Sequence, residues 1–245
     1  MIVLKNLSKF YHTGLVQRKK IVHDLSFSLP AHTVLGFLGP NGAGKSTTIK
    51  MIMDFIRPES GWITINGIDS KKTEARKRIG FLPEHPYFYD NLTAREFLFL
   101  LGKMAGMTKK DINNRTEILL ERLNLTEAAT RYLRTYSKGM LQRVGFAAAL
   151  IHDPDLLILD EPLSGLDPIG RHMIISLLFE LKEAGKTLFF SSHILNDIER
   201  LCDNIAIINQ GRLLYYGNLT TCIGTSNTLE QAFVSIIDND TKPHE

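Results

Sequence analysis

The sequence is short of the features that would place it outside ordinary globular chemistry, and each shortage removes a class of function. Cysteine is scarce. Cys202 and Cys222 are the two in 245 residues, and they lack the spacing of a metal site, so they read as ordinary thiols in a reducing compartment. Neither sign of charge dominates: 29 Lys and Arg against 26 Asp and Glu leave a net +3, too balanced to argue for nucleic acid. No apolar run approaches the roughly 20 residues that span a bilayer; the longest clean one is Val144 to Ile151. The opening MIVLKNLSKFY has no charged stretch leading into an apolar core and a small-residue cleavage site, so no signal peptide is expected. Sustained heptads, internal repeats and a long dividing linker are also missing. With 44% hydrophobic and 22% charged residues, the chain is long enough for one α/β domain with a sizeable core, expected in the cytoplasm.

What is present is alternation. Short apolar or period-two runs alternate with helical patterns, which predicts an α/β fold. Strands are expected at Ile2 to Leu4, Leu25 to Leu29, Val34 to Leu38 and Trp62 to Ile65, the last closed by the turn pair Asn66-Gly67. Leu156 to Leu159 and Thr187 to Phe190 have the unbroken apolar character of buried parallel strands. Ile205 to Ile208 and Arg212 to Tyr216 read as a hairpin around Asn209-Gln210-Gly211. Residues 93–152 are mostly helical in pattern, opening on a Thr93/Glu96 capping box, with a further helix over 109–123. Ser137 suits the N-cap of a helix from Met140 to His152, and Thr228 with Gln231 caps a short final helix. A single domain is expected over 1–237, with a helical lobe over about 84–150, followed by a polar, frayed tail over 238–245.

Two motifs carry chemistry. Gly39-Pro40-Asn41-Gly42-Ala43-Gly44-Lys45-Ser46 fits G-x-x-x-x-G-K-S/T, and it lies between a predicted strand and a helix opening near Lys45, the context the motif requires. Glycines let the backbone curl so that N–H groups point at phosphate oxygens, and the helix start adds partial positive charge. Lys45 is suited to the β- and γ-phosphates, the Ser46 hydroxyl to Mg²⁺, and Thr47 completes the nucleotide-binding set. The second motif is an apolar strand ending in Asp160-Glu161. Such a strand delivers its C-terminal residues to the phosphate crevice. Asp160 is suited to hold Mg²⁺ directly or through water, and Glu161 to polarise the attacking water. Pro162 then turns the chain.

Many nucleotide hydrolases share those two motifs. Tyr136-Ser137-Lys138-Gly139-Met140-Leu141-Gln142, upstream of Asp160, resembles the signature usually written LSGGQ in ABC ATPases, and nearly the whole chain then falls into register with that family. Tyr11 resembles the aromatic that stacks on adenine, and Gly80-Phe81-Leu82-Pro83-Glu84 the Q-loop. Ser164-Gly165-Leu166-Asp167 resembles the D-loop, and Ser191-Ser192-His193 the switch histidine. The Leu-Pro-Glu Q-loop, the Ser-Lys-Gly-Met signature and the ending Thr228 to Phe233 look most like subunits of ABC-2-type exporters.

The resemblance implies a P-loop NTPase core with an N-terminal antiparallel β subdomain and a helical signature subdomain. It implies ATP and Mg²⁺ as cofactors, and a head-to-tail homodimer or heterodimer with another ABC ATPase. In that dimer Ser137 and Gly139 close on the γ-phosphate of ATP bound to the second subunit. His193 hydrogen-bonds the γ-phosphate, and Asp167 shapes the interface beside the nucleotide. Membrane-spanning permease subunits are the implied partners, holding the chain at the inner face of the cell membrane. Nucleic acid is not expected. The competing reading, a soluble ABC ATPase remodelling a ribosome or DNA complex, usually has tandem cassettes or long coiled coils, which this sequence lacks. A nucleotide-gated scaffold with dead chemistry is opposed by Lys45, Asp160, Glu161 and His193.

Three positions depart from the family pattern. Glu84 stands where Gln is usual; a carboxylate accepts hydrogen bonds but cannot donate, and it can bind Mg²⁺ or a water. Lys138 replaces a signature glycine, leaving two readings, a charge aimed at the partner's ATP or a solvated side chain, and Met140 replaces the signature's final Gln. The loop expected from His12 to Lys20 is long for the family, and its Arg18-Lys19-Lys20 reads as either solvated or facing anionic lipid. The apolar stretch Pro86 to Tyr89 is either an interface or packed inside the helical lobe.

Overall fold

The computed structural model describes residues 1–13, 17–224 and 226–241. The chain forms two compact units, one from residues 1–76 and 187–245, the other from 77–186.

The first unit opens with β1 (Ile2–Thr13) and β2 (Gln17–Leu29), both longer than the sequence predicts. They pair antiparallel, with Tyr11 opposite Lys19, His12 opposite Arg18 and Thr13 opposite Gln17. The expected loop from His12 to Lys20 is therefore mostly strand; cross-strand partners supply the backbone hydrogen bonds, which local composition does not reveal. Its tip, 14–16, lies outside the described residues. Lys20 is engaged within the chain, bonding Asp24 at 3.1 Å and lying 5.6 Å over the Phe10 ring.

Next come β3 (Val34–Leu38), α1 (Lys45–Ile52), β4 (Ser60–Ile65) and β5 (Ile68–Asp69). The β4–β5 turn has positive φ at both Asn66 and Gly67, the geometry that pair favours. β1 also pairs antiparallel with β4, giving the sheet order β2-β1-β4-β5.

The second unit runs through β6 (Ile79–Leu82), α2 (Ala94–Met104), α3 (Lys109–Arg122), α4 (Lys138–Leu150), β7 (Leu156–Asp160) and α5 (Pro168–Glu183). β6 and β7 are parallel. The capping box is present: Glu96 N–H donates to Thr93 Oγ1 at 3.2 Å, and Thr93 N–H to Glu96 Oε2 at 2.8 Å. The bonds from Thr93 hold the Glu96 carboxyl below its usual pKa. The signature helix starts at Lys138 and ends at Leu150, two residues earlier at each end than predicted. Its buried face, Val144, Phe146, Ala147 and Leu150, anchors the unit's core. The helical stretch expected over 84–150 lies inside this unit.

The chain returns to the first unit with β8 (Thr187–Ser192), α6 (Leu195–Leu201), β9 (Asn204–Asn209), β10 (Arg212–Asn218), α7 (Leu219–Ile223) and α8 (Leu229–Thr241). β3 lies parallel between β8 and β9, and β10 closes the predicted hairpin antiparallel to β9. Phe27, Phe37 and Phe189 fill the core, with ring centroids 5.3–6.2 Å apart. Cys202 is buried and Cys222 half-buried, and burial raises the Cys222 pKa. Gln231 N–H donates to Thr228 Oγ1 as expected, but the final helix is 13 residues long and continues to Thr241, past the Asp238 start of the expected tail. Asp240 accepts a bond from buried Asn209 at 3.0 Å, which supports that extension. Residues 242–245 lie outside the described residues.

Candidate functional site

In the first unit, β3 is fully buried and ends at Leu38, so the chain must turn away into the loop 39–44. Ala43 N–H donates to Pro40 O at 3.1 Å, and Gly44 enters α1 with φ 106° and no side-chain cap. No side chain caps the start of α1, and a helix start of this kind is suited to an anion. Lys45 is 7% exposed, and its Nζ donates to Gly39 O at 2.7 Å and Pro40 O at 3.4 Å, which holds the ammonium inside the loop. Ser46 and Thr47 are half-buried, whereas Pro40, Asn41 and Gly42 are exposed.

Strand register sets what stands beside this loop. Leu38 pairs with Ser192, so the chain runs on to Gly39 and His193 from the same level of neighbouring parallel strands. The unit thus brings the phosphate loop and the exposed His193 together. Tyr11 is 39% exposed on β1, with Lys9 Nζ 5.8 Å from its ring centroid.

A support that sequence reasoning missed sits behind the loop. Gly211 N–H donates to Ala43 O at 2.9 Å, and Gly211 O accepts from His23 N–H at 2.8 Å. This turn glycine ties β2 to the phosphate loop. A Cβ at Gly211 would stand 2.1 Å from Ile21 O, and its φ is +79°. The hairpin reading contained the signal for a turn here, but not what the turn touches.

In the second unit, register again aligns functional residues. Leu82 pairs with Leu159, so Pro83-Glu84 and Asp160-Glu161 leave β6 and β7 side by side. Asp160 and Glu161 are buried, while Glu84 is exposed. Glu161 is left-handed, with φ 49°. That geometry costs a residue with a Cβ about 1–3 kcal/mol and is concentrated at functional sites. Ser164 N–H donates to Glu161 O at 3.1 Å, and buried Gln142 donates from Nε2 to Pro162 O at 2.9 Å.

Ser137 N-caps α4, accepting from Met140 N–H at 3.3 Å. Tyr136, the residue before it, is buried and donates to Ala128 O at 2.6 Å; burial raises its pKa, so the phenol stays a donor. Asp167 N-caps α5, its Oδ1 accepting from Gly170 N–H at 2.9 Å, with Pro168 in the first turn. That engagement gives Asp167 a definite structural task. A Cβ at Gly165 would meet Lys138 Cε at 2.6 Å, so the Lys138 stem packs against Gly165 of its own chain. The aromatic stretch divides. Tyr87 is 98% and Tyr89 65% exposed, whereas Phe88 sits edge-on to Phe97 at 5.3 Å.

Among the described residues no group of three or more His, Cys, Asp or Glu could hold a metal ion. The candidate donors Ser46, Asp160 and Glu84 are all oxygen ligands. Mg²⁺ is usually held by one or two carboxylates together with substrate phosphates and water, so these donor types suit it.

Residues 22–164 match the family described as ABC transporter. The chain belongs to the ABC transporter ATP-binding family. This ATP-binding cassette is 43% identical over 228 residues to an uncharacterised ABC transporter ATP-binding protein of Synechocystis, covering 91% of the chain and 64% of that protein. It is 44% identical over 217 residues to the bacitracin transport ATP-binding protein of Bacillus licheniformis, covering 87% and 68%. The chain thus spans about two thirds of the length of these relatives. A solved dimeric ATP-binding cassette in a post-hydrolysis state, bound to ADP and Pi, superposes with a TM-score of 0.82 at 26% identity, covering 89% of this chain and 99% of that one. The P-loop NTPase fold expected from sequence is therefore the fold of this cassette. No helix among the described residues is long and apolar enough to cross a membrane.

Proposed function

We propose that this cassette binds and hydrolyses ATP and, as a head-to-tail pair, drives separate membrane-spanning subunits, in the direction of export. The observation that carries the hydrolytic part is Glu161, a carboxylate held left-handed immediately beyond a buried parallel strand. Such a group can accept a proton from, and orient, an attacking water. Lys45 and the N–H groups of 39–47 are assigned to the phosphates, Tyr11 to the adenine face, and His193 to the γ-phosphate. Ser46, Asp160 (directly or through water) and Glu84 are the residues that would hold Mg²⁺. The ion would neutralise phosphate charge when bound.

Sharing of the site between chains is supported by the cap at Ser137. A second helix start, additional to that of α1, has the dipole and N–H groups to face a phosphate held by another copy. Ser137 and Gly139 are assigned to that contact, with Asp167 shaping the interface. Cysteines introduced at Ser137 and at the exposed Asn41 test the arrangement. Cross-links between chains that require ATP support it, and cross-links confined to single chains overturn it.

The permease contact is assigned to Glu84 through Leu101, where Tyr87 and Tyr89 expose apolar rings to solvent. Contact with that permease would hold the cassette at the inner face of the cell membrane. Co-purification of a membrane protein that survives both Tyr87→Glu and Phe88→Glu would refute this surface. Export is supported by the Leu-Pro-Glu and Ser-Lys-Gly-Met sequences, which resemble the ABC-2 type.

A further inference from the structure

A buried hydrogen bond joins the signature helix to the acidic turn within the second unit. Gln142 lies in the second turn of α4, and its Nε2 donates to Pro162 O at 2.9 Å. Pro162 follows Glu161 directly and has no N–H, so its carbonyl is the only backbone group with which it can be anchored. The left-handed backbone at Glu161 is unfavourable by itself and persists only where its surroundings determine it. Bonds on consecutive carbonyls contribute, Ser164 N–H on that of Glu161 and Gln142 on that of Pro162. The donor must be a carboxamide or similar group, because an ionised carboxylate would present a second acceptor to the carbonyl.

The two ends of this connection face different tasks. Ser137 caps α4, and Gln142 follows on the same helix, roughly 7–8 Å along its axis at 1.5 Å per residue. Arg143 steadies that turn by donating to Leu123 O at 3.0 Å and Asn124 O at 3.1 Å. The cap at Ser137 and the donor at Gln142 thus lie on one continuous helix, with the donor bonded to the carbonyl beside Glu161.

We propose that Gln142 is a positioning residue for Glu161, and that it couples engagement of the signature helix with one nucleotide to the readiness of the catalytic carboxylate of the same chain. This rests on the proposed role of Glu161 in hydrolysis. In the head-to-tail pair, α4 contacts ATP held by the other copy, while Glu161 serves ATP held by its own. The Gln142–Pro162 bond would then make closure at one site set the base at the other.

The test uses the full chain carrying Gln142→Met, Gln142→Glu, Glu161→Gln and the double substitution Gln142→Met/Glu161→Gln. Steady-state ATP turnover and affinity for a fluorescent ATP analogue are measured for each. Gln142→Met keeps length and removes the donor, and it should lower kcat about 10- to 100-fold, the scale of a misplaced catalytic group. Analogue affinity should stay within about twofold, since the phosphate loop is untouched. Gln142→Glu, nearest in shape, should show the same split and serves if Gln142→Met does not fold. With Glu161→Gln already present, Gln142→Met should cost nothing further, because residues acting as one unit are not additive. A role in general stability would lower turnover by the same factor in both backgrounds. The inference is overturned by unchanged kcat in a folded Gln142 variant, by equal losses in both backgrounds, or by a loss residing in ATP affinity. An unsubstituted chain that binds ATP without turning it over would overturn the proposed function itself, and this inference with it.

Discussion

The phosphate loop of the first unit and the acidic turn of the second are held by opposite means. Around the loop, side chains are missing where backbone must approach backbone. A Cβ at Gly39 would lie 2.4 Å from Ile208 O, and one at Gly211 would lie 2.1 Å from Ile21 O. Around the acidic turn, side chains hold the backbone: Gln142 holds Pro162, Ser137 caps α4 and Asp167 caps α5. A loop that binds phosphate through N–H groups needs close, crowded main chain. A turn that must aim one carboxylate needs directional clasps that can shift with the helix carrying them.

The largest expected effect tests the loop. Lys45→Ala should abolish turnover and weaken binding of a fluorescent ATP analogue about 100-fold, the scale of a lost charge-assisted contact; wild-type affinity would show that Nζ, now held on Gly39 O, is not a phosphate ligand. At the acidic turn the loss should be of a different kind. Glu161→Gln should keep ATP binding while turnover falls roughly 10²–10⁴-fold, as for removal of a general base, and gel filtration with ATP and Mg²⁺ should show an accumulated dimer. Turnover near wild type would remove Glu161 from the assignment.

A pair of glycine substitutions sharpens the claim about missing side chains. Gly42 and Gly211 both have φ near +80°, but a Cβ at Gly42 has nothing within 4 Å. Gly42→Ala should cost about 1 kcal/mol in thermal unfolding, the strain of the left-handed backbone alone, and Gly211→Ala distinctly more. Equal losses would mean that the close approach to Ile21 carries no weight.

The smallest effect belongs to the second unit. Burial holds the His152 pKa below its ordinary value near 6.5, although its bond with Ile79 O, at 3.1 Å, opposes the shift. The unfolded chain therefore binds more protons than the folded one just below that pH. The associated stability is present above about 6.5 and is lost as pH falls toward the folded pKa. Protection of the α4 amides, taken relative to the intrinsic exchange rate at each pH, should fall over that window, and His152→Gln should flatten the dependence. An unchanged slope in the variant would assign it to another group.

The resemblance of nearly the whole chain to one family was legible because its carriers are local. The phosphate loop, the Thr93/Glu96 box, the Ser137 cap and the Asn66-Gly67 turn each declare themselves within a few residues. Other elements were not read. β6 has four residues, one of them Gly80, too few to show a period. α5 was passed over although Asp167-Pro168 is a recognisable helix start. α6 is a single short helix with no capping side chain.

By itself the sequence determined the chemistry on offer: which groups can cradle phosphate, polarise water or cap a helix, since these follow from residue type and near-neighbour spacing. The tertiary structure alone decided the alignments. Leu38 opposite Ser192 puts His193 beside the phosphate loop, and Leu82 opposite Leu159 puts Glu84 beside the acidic pair. It also decided the supports, Gly211 beneath Ala43 and Gln142 on Pro162, which join residues far apart in the chain. Register and buried hydrogen bonds of this kind depend on which backbones meet once the core has closed, and no local pattern of side chains encodes that partner.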